Sequence, residues 1–170
     1  MFLQRLLQVP DLRSAWLLLL FCAAPRSNHL LRLLPLTVSK GYAKQHDSDL
    51  WDTFCTLVSQ PQLKDVRPQS SKTKPLAELP SNLGGLSLRS AEKLADAAYW
   101  AAWADTLKVL KAKVPHRAAT LTAALEGEQA PQAHCLAEVR AARDRLAEKR
   151  FQRSYLDRGL QQLSGTNKRL

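Results

Sequence analysis

The chain contains no isoleucine, little valine and only 6 glycines. Strands draw on β-branched and aromatic residues, so their scarcity argues against a sheet. Leu and Ala dominate instead, and both favour helix. Only 3 cysteines occur (Cys22, Cys55 and Cys135), far apart and without a CxxC. That sparse, odd count excludes a disulfide scaffold and a cysteine-based zinc site, and leaves reduced, mostly packed thiols. The chain also has no GxGxxG, no GKS or GKT, no GxSxG and no Asp-Asp pair. The motifs of dinucleotide and phosphate loops, of the nucleophile elbow and of two-metal nucleotidyl transfer are therefore missing. No cofactor or metal is implied.

What is present is a 170-residue chain with 45% hydrophobic residues and a net charge of +10. The apolar share is enough for a packed core. The positive excess runs along the whole chain and is densest near its end. Such a charge concerns partners more than fold: nucleic acid first, anionic membrane surfaces second.

The first 26 residues carry early arginines, then "AWLLLLFCAAPR". A basic start, a short apolar run and small residues satisfy the outline of a secretory signal. A core helix competes with that reading. Asp11 can cap it, and Pro25 would close it before a new helix at Ser27 or Asn28. The run is too short to span a bilayer, which needs about 20 apolar residues.

From Ser39, Tyr42, His46, Leu50, Phe54 and Leu57 recur at helical spacing and define one expected apolar face, which Trp51 and Cys55 widen. Asp47, Asp49 and Asp52 then read as a solvated face, and His46 as a packed or hydrogen-bonded histidine. "DVRPQSSKTKP" reads as a polar tether. Gly84 and Gly85 make a turn that avoids Cβ clashes, and Ser90 caps a helix over 91–113 that bears Trp100 and Trp103. Arg89, beside that helix start, is a candidate phosphate contact. Lys108 and Lys111 suit the helix C-terminus, and Pro115 stops it. A shorter segment ends near Gly127. A long basic helix then runs from about Ala133 to Arg153, with Cys135, Val139, Ala142 and Leu146 as its apolar stripe and with Arg140, Arg143, Lys149 and Arg150 on it.

The fold expected is all-α, an irregular bundle of about five to seven helices with a polar linker and a basic C-terminal helix. Its segments are 1–66, 67–82 (linker), 83–115 (the glycine turn and tryptophan helix) and 116–170 (basic tail). Phosphate contact is expected from Arg89, Lys108, Lys111, Arg140, Arg143, Lys149 and Arg150.

Three blocks in order, "CAAPRSNHLLR", "YAKQHDSDLW" and "LPSNLGGLSLRSAEKLADAAYWAAWADTL", resemble the region that follows the reverse-transcriptase core in non-LTR (LINE-like) retroelement polyproteins. The resemblance spans roughly Asp11 to Pro115. Ser87 stands where that family usually has Gly, and Ala95-Asp96 replaces its usual Ala-Pro. The catalytic palm and its carboxylates have no counterpart here. The resemblance therefore implies a non-catalytic, thumb-like and post-thumb helical fragment. The partners it implies are RNA or DNA held by phosphates, or a separate catalytic chain. In that family the "WLLLLFCAAPR" segment is internal, which makes the signal-like start accidental and the expected location intracellular, nuclear or cytoplasmic. The alternatives are a helical interaction module presenting the Trp100/Trp103 face to a partner helix, and a degenerate reading frame without selected function.

Overall fold

The computed structural model describes residues 2–59, 70–127 and 133–148, and contains no strand among them. The all-α expectation holds. The helices are α1 (Phe2–Leu6), α2 (Leu12–Leu18), α3 (Ser27–Leu33), α4 (Leu36–Val58), α5 (Ser70–Glu78), α6 (Ala91–Lys113), α7 (Pro115–Glu126) and α8 (His134–Glu148). The chain divides into two compact units, Met1–Leu30 with Lys40–Leu94, and Leu31–Ser39 with Ala95–Leu170. Both are discontinuous in sequence.

In the first unit, Asp11 accepts a hydrogen bond from the Ser14 amide at 2.8 Å and so caps α2 as its position suggests. Pro25 does not end the helical path. A π turn over Leu19–Ala23 and a 3₁₀ turn over Ala24–Arg26 carry the backbone through to α3. Changing the hydrogen-bond step is how a helix accommodates a ring that has no N–H to give. Ala15, Leu19 and Ala23 bury one side of this path with Leu6, Leu50 and Leu57. Leu17, Leu18 and Phe21, on the other side, stay exposed.

The buried residues of α4 in this unit are Ala43, Asp47, Leu50, Trp51, Thr53 and Leu57, so Leu50, Trp51 and Leu57 of the expected face are buried while His46 and Phe54 are half-buried. Tyr42 is exposed and stacks on His46, their rings 5.8 Å apart. His46 Nε2 lies 3.3 Å from the Ala24 carbonyl oxygen. Trp51 packs with Ala77 of α5 and Leu88. Helix α5 thus occupies part of the stretch expected as a linker.

Between α5 and α6 the chain turns through a 3₁₀ turn, Ser81–Leu83, to Gly84 at φ 79. A side chain on Gly85 would run into the backbone of Leu79. The two glycines therefore answer different demands, one for left-handed backbone and one for space. The following residues are tied back along the chain: the Ser87 amide donates to the Leu79 carbonyl at 2.8 Å, and the Leu88 amide to that of Ala77 at 3.0 Å.

In the second unit α6 covers the span expected for it. Tyr99, Trp100 and Leu107 are buried along α6, as are Ala118 and Leu125 on α7. On α8 the buried stripe is Leu136, Glu138, Val139, Ala142 and Leu146. Cys135 falls at its edge, half-exposed, one position away from the face expected for it. Pro115 ends α6 and opens α7, where a missing amide costs nothing.

Candidate functional site

Two buried carboxylates organise the helix starts, and neither was expected in that role. Asp47, on α4, is 7% exposed rather than solvated. It accepts from the Ser90 hydroxyl at 2.6 Å, the Ala91 amide at 2.7 Å and the Glu92 amide at 3.0 Å. Ser90 Oγ in turn accepts from the Lys93 amide at 3.2 Å, the N-cap role expected of it. The first turn of α6 is therefore filled by the protein's own anion, and its amides are not open to a phosphate beside Arg89. Glu138 does the same in the second unit, accepting from the Leu36 amide at 2.8 Å and the Thr37 amide at 3.1 Å at the start of α4. Burial pushes its carboxyl up, but the hydrogen bonds from Thr37 and Leu36 together outweigh this and hold it below the usual carboxylate value.

The signal for Asp47 was in the sequence. A polar residue at helical spacing between Ala43 and Leu50 is a request for a buried donor. The donors, forty-odd residues on, were not legible from α4 itself.

Around that capped turn the first unit forms a cleft of about 660 Å³. One wall comes from Trp16, Phe21, Pro25 and Asn28, and the other from Gly85, Leu86, Ser87 and Arg89. Residues before α3 and residues before α6 thus face one space. Phe21 is 69% exposed. Trp16 is half-buried, set edge-on against Phe54 with ring centroids 5.5 Å apart. Ser87 holds φ 58, a left-handed conformation uncommon for a residue with a side chain.

The expected phosphate contacts are distributed as follows. Arg89 is exposed and lines this cleft in the first unit. Lys108 and Lys111 are exposed on α6, three residues apart and so neighbours on the helix surface, in the second unit. Arg140 is half-buried on α8. Arg143 is turned to internal partners: it donates to the Leu125 carbonyl at 2.7 Å and to the Asp144 carboxylate at 2.9 Å. Lys149 and Arg150 lie outside the described residues. Arg145, a further cation of α8, pairs with buried Asp96 at 2.8 Å. Asp96 therefore has a structural use here.

Among the described residues no group of three His, Cys, Asp or Glu side chains could hold a metal ion. No helix among them is long and apolar enough to cross a membrane. No family model matches the chain, and neither any curated protein nor any solved structure matches it.

Proposed function

We propose that this chain is a non-catalytic helical fragment of the kind that follows the reverse-transcriptase core in non-LTR retroelement polyproteins, and that it binds nucleic-acid phosphates without reading sequence. The observation that carries this reading is where the negative charge goes. Asp47 and Glu138 are absorbed as buried helix caps, Asp96 faces Arg145, and Glu78 pairs with Lys93. These four carboxylates are committed to partners within their own units, and Arg89 and Lys108 stand exposed on a chain of net charge +10. Phosphate contacts of that kind position a strand but carry no base information. A nuclear or cytoplasmic site of action, where RNA and DNA are met, follows from this reading.

The rival reading, a module that offers Trp100 and Trp103 to a partner helix, is less favoured because Trp100 is only 6% exposed. Titration of a random-sequence RNA over a salt series tests the proposal. Affinity is expected to fall linearly on a log–log plot, with a slope of about −0.7 to −0.9 per phosphate contacted. The double substitution Lys108→Glu, Lys111→Glu should make that slope shallower by about two. No binding at low salt, or binding insensitive to salt, would sink the proposal.

A further inference from the structure

We infer that the cleft between the Phe21 turn and the Leu86–Arg89 segment takes an unstacked base of a single strand together with its phosphate. This deepens the phosphate-binding reading and rests on it. Three observations on the cleft converge. First, its aromatic surface is prepared but uncovered. Phe21 is 69% exposed, and half-buried Trp16 in the same lining meets Phe54 in a T-shaped contact with ring centroids 5.5 Å apart. An exposed phenyl ring is a platform on which any base can stack. Second, the charge is one-sided. Arg89 is the cation of the lining, and none of the described residues lining the cleft carries a carboxylate. Third, polar residues sit among the apolar ones: Asn28 and Ser87 belong to the same lining, the Ser87 hydroxyl already accepting from the Ser81 amide at 2.9 Å. Ser87 is kept there in a left-handed conformation at φ 58. A backbone outlier of this kind costs energy and persists only where its surroundings over-determine it, and such outliers gather at functional sites.

A planar, polar-edged and anionic ligand matches that set better than an aliphatic one does. The bases of a duplex are already stacked and cannot reach it. Because Asp47 closes the amides of α6, the phosphate must be met by Arg89 itself rather than by the helix start.

The test uses the full chain and fluorescence anisotropy at low salt. Its probes are a short oligo(dA), an abasic strand with the same number of phosphates, and the corresponding duplex. The base-bearing single strand should bind about tenfold tighter than the abasic one, and the duplex no tighter than the abasic strand per phosphate. Phe21→Ala should erase the tenfold difference while leaving abasic affinity unchanged. The high exposure of Phe21 makes this variant safe for folding, which a thermal melt checks. Arg89→Gln should weaken both single strands.

Equal affinity for base-bearing and abasic strands overturns the inference while leaving the phosphate reading standing. So does a base preference that survives Phe21→Ala, or a duplex that binds more tightly than the single strand. A leucine-rich acidic peptide that binds tighter than oligo(dA), and loses that affinity in Phe21→Ala, assigns the cleft to protein and overturns it too. If no strand binds at low salt, the inference and the reading beneath it fail together.

Discussion

Asp47 shows how much one side chain can carry. Its two oxygens satisfy a hydroxyl and two amides, all at least partly buried. Removing the acceptor leaves donors without partners, which costs more than a lost surface cap. Asp47→Ala should lower stability by about 2–3 kcal/mol in urea denaturation, with Asp47→Asn losing less because one acceptor oxygen remains. Glu138 makes a pH-dependent version of the same argument. Its folded value lies below its ordinary 4.5, so the unfolded chain takes up this proton first. The stabilisation is therefore present above about pH 4.5 and is lost as pH falls through the lower folded value. Glu138→Gln should flatten the acid side of a stability-against-pH curve; an unchanged curve would show that the carboxylate contributes nothing. Neither residue announced itself as a cap, because a cap is recognised locally only when donor and acceptor are close in sequence.

Elements governed by their own residues were legible in advance. Helix α6 begins at its serine cap and ends before Pro115, as its sequence directs. The double-glycine turn and the general course of α8 were legible in the same way. Elements governed by tertiary contacts were not. On α4, Asp47 is buried by partners forty-odd residues on, and the path after α2 continues through Pro25 by way of a π turn. Of the cleft, the sequence marked Arg89 and the glycines, but not Phe21 or Asn28, which it read as part of a buried apolar helix and a helix start. The turn before α6 gives a test at this scale. Ser87 is left-handed, and its hydroxyl accepts from the Ser81 amide at 2.9 Å. Ser87→Gly exchanges that bond for relaxed backbone and should change stability by less than about 1 kcal/mol. Ser87→Val keeps the strain, adds β-branching and loses the acceptor; a loss of about 1–3 kcal/mol by thermal denaturation is expected.

For the whole molecule, the net charge of +10 is the dominant long-range fact. Surface pairs such as Arg32 with Asp105 relieve little of it, since exposed ion pairs contribute about 0–1 kcal/mol. Self-repulsion of the excess cations is screened by salt. The urea midpoint should therefore rise as NaCl is added, while affinity for RNA falls over the same range. A midpoint that drops with salt would mean that attractive pairs, not repulsion, set the balance.

The sequence distances of the two buried caps also set an order of assembly during synthesis. The contact between Asp47 and Ala91 spans 44 residues, and that between Leu36 and Glu138 spans 102. A ribosome delivers both partners of the first contact well before it delivers Glu138. The unit that ends at Leu94 can close while translation continues. In the segment Leu31–Ser39, made early, the Leu36 and Thr37 amides must wait for their acceptor until α8 emerges.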